Sequence, residues 1–278
     1  MENIRFNVGR SQRLILFFCV AFICLLAASV LVFIIGNDTT PKVRIAAVLQ
    51  DVIAFAFPAV AVAAVITRRP ADLLMIHKPK MPAAMYVVFA LVASIPAMNA
   101  LVEWNASLPL PENALLQAAK QKELIERMFG TSGVGSLIVA LLIIGIMAPL
   151  TEELLFRGCL QRILASVAGR NVAVWLAATI FSLMHFDLTG FVPRLVLGVI
   201  FGYGMLITRS LWTAVACHTL NNCLAVVAMW LEMRGNQMGE EMQTMGSANI
   251  VLILLSCVSF GFLMWLAYKS AVNRTFCD

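Results

Sequence analysis

Apolar residues in this chain come in long runs, separated by short polar segments. Spans of about 20 apolar residues are what a bilayer-crossing helix needs. Such runs cover Leu14–Ile35, Ile45–Ile66, Pro82–Val102, Val134–Leu155, Val172–Phe186, Pro193–Thr208, Leu211–Leu231 and Asn249–Tyr268. The fifth and sixth are short. The expected fold is therefore all-α, a polytopic membrane helix bundle of about eight transmembrane helices. Two polar stretches are longer than loops. Glu103–Gly133 carries Leu115, Leu116, Leu124, Ile125, Met128 and Phe129 near helical spacing. It reads either as a helix on the membrane surface or as one packed over the bundle. Glu232–Ala248 is polar and Met-rich, and no function is read from it.

Composition agrees with this pattern. The chain of 278 residues is 61% hydrophobic and 13% charged, against about 25% charged in soluble domains. The first run follows Arg5, Arg10 and Arg13 and is too long for a cleaved signal peptide, so it is expected to stay as the first helix. Net charge is +5. The cations flank the spans, so the charge speaks of topology, not of nucleic acid. With the N-terminus in the cytoplasm and eight spans, thirteen Lys and Arg fall inside, Arg157 and Arg162 among them, and seven outside, Arg194 among them. Both termini are then expected to be cytoplasmic. Seven cysteines, an odd count without a CxxC pair, give no disulfide framework. The expected organisation is an N-terminal part (1–133), a core of helices four to seven (134–231), and an outer loop with the last helix (232–278).

The polar residues inside the runs come next. A charged side chain at mid-membrane costs at least about 2.5–3.5 kcal/mol on insertion scales, so adjacent acids there point to chemistry. Glu152-Glu153-x-x-x-Arg157 ends the fourth run, Phe181-x-x-x-His185 lies in the fifth, and His218-x-x-x-Asn222 in the seventh. The i, i+4 spacing places each pair on one helical face. Counted by helix rise from Arg162, Arg170 and Arg209, Glu152, His185 and His218 lie about 15, 22 and 13 Å deep. They are expected to share one cavity in the inner half of the bilayer. A glutamate there can act as general base on water. Histidine and asparagine can donate to an oxyanion, and Arg157 can fix a carboxylate. Cys217 is a poor nucleophile candidate, because it precedes His218 directly and points to a different face. Asp187 reads as a solvated loop acid or a partner of His185. Asp51 either lines a cavity or reaches outer headgroups. His77 reads as exposed and Phe181 as packing. Gly198, Gly202 and Gly204 read as sites of close helix approach.

The three motifs, in this order and inside membrane runs, resemble the CAAX protease and bacteriocin-processing family, also called the abortive-infection family, over roughly Leu137 to Val227. Leu197-Gly198-Val199-Ile200-Phe201-Gly202 and Ser210-Leu211-Trp212 add to the likeness. The resemblance implies an intramembrane endopeptidase of eight helices, in the plasma (inner) membrane of a bacterium. By position, Glu152 would activate water with help from His185, Glu153 and Arg157 would support it, and His218 and Asn222 would stabilise the oxyanion. The substrate would be a membrane-tethered peptide or protein, prenylated or bearing a leader, cut near the cytoplasmic side. No obligatory metal is expected. The alternative is zinc on Glu152, Glu153, His185 and His218, although there is no HExxH. Two other readings stand beside this one: a non-catalytic membrane scaffold or immunity protein on the same fold, and a proton-coupled transporter.

Overall fold

The computed structural model describes residues 9–272, and no strand forms among them. The long elements are α1 (Arg10–Ile35), α2 (Thr40–Ile66), α3 (Met81–Ala93), α4 (Ile95–Ala106), α5 (Glu112–Phe129) and α6 (Val134–Ala168). They continue with α7 (Arg170–Leu183), α8 (Phe191–Thr208), α9 (Leu211–Met233), α10 (Gln237–Thr244) and α11 (Ile250–Val272). The protein is an integral membrane helix bundle. Among the described residues six helices are long and apolar enough to cross a bilayer, or seven if the bent α3–α4 pair makes one span.

The expected count of eight therefore changes in two places. The expected third span, Pro82–Val102, breaks at Ser94, and its halves meet at 49°. Pro96 cannot donate a backbone hydrogen bond there and its ring crowds the turn before it. Ser94 closes the break by donating its hydroxyl to the Leu91 carbonyl at 2.7 Å. The expected fifth span is the 14-residue α7, shorter than the others. The fourth is longer than its apolar run. It continues past Leu155 to Ala168, 35 residues in all, because Arg157 is satisfied inside the bundle and does not end it.

Prolines also shape α2 and α6. Pro58 follows a π-helical segment, Asp51–Ala56, and Pro149 follows another, Leu141–Met147. In each, a missing N–H inside a span is absorbed by a widened turn before it. A third π segment, Leu154–Gln161, carries Arg157.

Small residues set the packing. Ala59, Ala63, Ala173, Ala177 and Cys159 are fully buried where α2, α6 and α7 meet, the close approach expected between membrane helices. Gly202 lets α8 reach the others: a Cβ there would lie 2.8 Å from Gln161 and 2.9 Å from Val174. α1 and α11 turn large apolar side chains outward, Phe22, Phe33 and Phe262 among them, as lipid-facing helices do. The six described cysteines are free.

Charge separates the two ends of the bundle. Arg13, Arg162 and Arg170 line one small cavity with Ile66 and Leu206, and Lys80 donates to the Ala271 carbonyl at 2.7 Å. That end also carries Arg68, Arg69 and Lys78, and Asp72 is its one acid among the described residues. The other end mixes signs, with Asp38, Glu103 and Glu112 beside Lys42 and Lys120. Of the cations counted to one side or the other by sequence, Arg157 is fully buried inside the bundle, and the half-buried Arg194 is ion-paired with Asp187. Arg5 and Arg274 lie outside the described residues. The amphipathic α5 caps the mixed end. Arg44 of α2 donates to its Met128 and Phe129 carbonyls, both at 2.9 Å, while Leu115 and Leu116 stay exposed.

Candidate active site

Glu153 and Arg157 form the base of the site. Both are completely buried, and Arg157 Nη1 donates to Glu153 Oε1 at 2.8 Å. The guanidinium has further partners. Nη2 donates to the Gly198 carbonyl at 3.2 Å, and the group lies 4.4 Å over the Phe181 ring and 5.6 Å over Phe201. A buried charge pair is tolerated only when such partners accompany it.

Glu153 also orients His218. Its Oε1 lies 2.8 Å from His218 Nδ1. A carboxylate held by a guanidinium only accepts, so Nδ1 carries the proton. The ring stacks on Phe201 at 4.9 Å and 24°. Its other nitrogen, Nε2, then faces Glu152 Oε2 at 3.7 Å. Arg157, Glu153, His218 and Glu152 thus stand in one continuous line of ionisable side chains.

His185 reaches the same place from the end of α7. Its Nδ1 lies 2.9 Å from the Phe181 carbonyl; a carbonyl only accepts, so Nδ1 is the donor and Nε2 of the neutral ring is an acceptor. The Phe181 ring sits between the two imidazoles, 4.9 Å from His185 and 5.7 Å from His218. Phe181 is 2% exposed, in keeping with its reading as packing.

The turn after His185 is pinned by residues the sequence did not reveal. Gln121 of α5 donates to the His185 carbonyl at 2.6 Å. Asn105 of α4 donates to the Leu188 and Thr189 carbonyls at 2.9 and 2.7 Å and accepts from Val192 at 3.0 Å. Asp187 is neither a solvated acid nor a partner of His185. It accepts from the Thr189 amide at 2.9 Å and hydroxyl at 2.6 Å, and it pairs with Arg194. Phe186 adopts φ +50°, a backbone region that bulky residues rarely enter.

Glu152, His185 and Asp51 open onto one cavity of about 870 Å³. Phe55 and Phe156 form its apolar side, and Asn37, Gln117 and Gln121 stand at its mouth. His218 lies behind Glu152 and is not one of its walls. Nor is Asn222, whose Nδ2 donates at 3.1 Å to the Ile144 carbonyl, inside the first π segment of α6. The depth read from the arginines changes accordingly. Glu152 is about 27 Å by helix rise from the start of α6 and about 24 Å from its end, near the middle. From there the cavity runs to Gly36 and Asn37, away from the arginine-rich end. His77 is about half exposed, 3.5 Å from Asp72, as its sequence suggested.

Glu153 Oε1 already serves Arg157 and His218. Among the described residues no group of three His, Cys, Asp or Glu is placed to hold a metal ion.

Comparison with known proteins falls on this same core. Residues 134–224, from the start of α6 into α9, match the family model described as Rce1-like, type II CAAX prenyl endopeptidase Rce1-like. No curated protein and no solved structure matches the chain. The matched segment holds Glu152, Glu153, Arg157, His185, His218 and Asn222. Over this segment, about a third of the chain, the protein is similar to the type II CAAX prenyl endopeptidase family.

Proposed function

We propose that the protein hydrolyses a peptide bond in a membrane-associated substrate, using water activated by Glu152. One observation carries the reading: Glu152 faces a large cavity together with His185 while its other side is backed by the buried Arg157–Glu153–His218 chain. A water between Glu152 and His185 would donate one hydrogen to the carboxylate and the other to His185 Nε2. Its oxygen would attack the scissile carbonyl. Glu152 would then pass the proton to the leaving amine. His218, with Nδ1–H held by Glu153, would stand behind Glu152 through Nε2 and hold that carboxylate in place for the water. Asn222 would brace α9 against α6 in this scheme, since its amide is committed to Ile144.

An apolar groove adjoins the cavity. Phe17, Phe18, Ala21, Leu160 and Ile180 line it, and it shares Leu25, Phe156 and Met184 with the larger space. A prenyl chain or an apolar transmembrane segment would fit such a surface. No step passes through a metal. The plasma (inner) membrane of a bacterium is the proposed location.

Substrate trapping tests the reading. Cells expressing the Glu152→Gln protein should accumulate an uncut membrane protein that the wild-type chain processes. In nanodiscs that substrate should be cut about 10²–10⁴ times more slowly by the variant, with its thermal unfolding unchanged. Equal cleavage by both proteins would reject Glu152 as the base. A cellular phenotype that survives both Glu152→Gln and His218→Ala would show a scaffold instead.

A further inference from the structure

The cavity holds an acid that the proposed hydrolysis does not use. Asp51 sits in the π segment of α2 and is 8% exposed, yet it forms part of the cavity wall with Glu152 and His185. Among the described residues it makes no hydrogen bond and no ion pair. The cation nearest in sequence, Arg44, is spent on the Met128 and Phe129 carbonyls, and Arg194 is spent on Asp187. Besides Glu152 and His185, the polar side chains that line the cavity with Asp51 are neutral: the Ser29 hydroxyl and the amides of Asn37, Gln50, Gln117 and Gln121. No Lys or Arg among the described residues lines the cavity.

A buried carboxylate without a partner is costly to keep. A cation that entered the cavity would remove that cost, and a second carboxylate would add to it. The wall therefore discriminates by sign. Metal ions are a poor match, because no third ligand converges with Asp51 and Glu152 among the described residues. A peptide supplies the needed charge as a lysine or arginine side chain or as a free α-amine. The same wall disfavours a peptide whose own C-terminal carboxylate would lie beside Asp51.

We propose that Asp51 is a specificity-determining residue that receives a cation of the substrate peptide, so that the cavity takes segments bearing a basic group in preference to neutral or acidic ones. This rests on the peptidase reading for its consequence, but the binding itself does not.

Fluorogenic peptides with an apolar background can test it, with Lys, Arg, Gln or Glu placed in turn at each position around the cut. One set carries a free N-terminus and the other an acetylated one. The probe is the full-length protein in nanodiscs. The expected result is that Lys or Arg at one position raises kcat/KM at least about tenfold over Gln, with Glu poorest. Asp51→Asn should abolish this preference, so that the Lys, Arg and Gln peptides are cut at similar rates. Asp51→Glu should retain it, and Asp51→Lys should favour the Glu peptide. If the acetylated set loses the effect, the cation is the α-amine; if it keeps it, the cation is a side chain.

Two results would overturn the proposal: wild-type indifference to charge at every position, or equal slowing of all peptides by Asp51→Asn, which would make Asp51 a partner in the chemistry. Binding separates this from failure of the peptidase reading. Anisotropy titrations of the same peptides against Glu152→Gln protein should show tighter binding of the basic ones, lost in the Asp51→Asn double variant. If no peptide is cut but this binding pattern holds, the cation subsite stands and the peptidase reading falls. If neither cutting nor charge-dependent binding is seen, Asp51 is not such a subsite.

Discussion

Arg157 has no exposed surface, and its neighbours explain why its charge is tolerated: a carboxylate, a backbone carbonyl and two aromatic faces. Removing one partner of a buried ion pair costs about 3–5 kcal/mol, because the other charge is left alone. Arg157→Ala should therefore lower stability by about that amount. In Arg157→Ala/Glu153→Gln, which removes both charges, much of the loss should be recovered. Denaturation in detergent measures both, and equal stability of the two variants would contradict the pairing. At this scale the sequence was informative where motif spacing was helical. Glu153 with Arg157, and Phe181 with His185, meet as an i, i+4 pattern requires. Asn105, Gln121 and Asp51 gave no such signal. Each is a single polar residue whose role is set by a segment distant in the chain.

Between elements, glycine spacing decides how closely helices approach. A Cβ on Gly198 would lie 3.0 Å from both Arg157 Nη2 and the Ala178 Cβ, and 3.2 Å from the Ala178 Cα. Backbone cannot yield as a flexible side chain can. Gly198→Ala should cost about 1–3 kcal/mol and reduce cleavage by shifting Arg157. Gly261→Ala in α11, where a Cβ would meet nothing within 4 Å, should be neutral or slightly stabilising. Paired melting curves check the contrast, and an undisturbed Gly198→Ala would mean α7 and α8 are less tightly joined than described. Gly198, Gly202 and Gly204 were legible as contact residues because small residues in apolar runs mark interfaces. The fourth span's true length was not legible. A hydropathy run stops at charged residues, whereas Arg157 is neutralised by contacts that no local window contains.

The whole molecule is polarised, with arginines at one end and the mouth of the cavity at the other. The distribution of Lys and Arg orients membrane proteins so that the richer end remains in the cytoplasm. In intact bacterial cells, a membrane-impermeant maleimide should then label Asn37→Cys at the mouth. It should label Arg68→Cys only after the membrane is opened. The reverse pattern would place the mouth inside. The bundle and its spans were readable from hydropathy, and so was this charge bias. The direction in which the cavity opens was not, since it depends on how α1, α2 and α5 leave a gap beside α6.

That gap bears on timing. On the peptidase reading, a bond that is reached only from the far side of the bilayer is out of reach while its polypeptide is still being made. It becomes available once export has carried it across. Processing would then follow secretion as a later step, and a block in translocation should leave the precursor intact even where the peptidase is abundant.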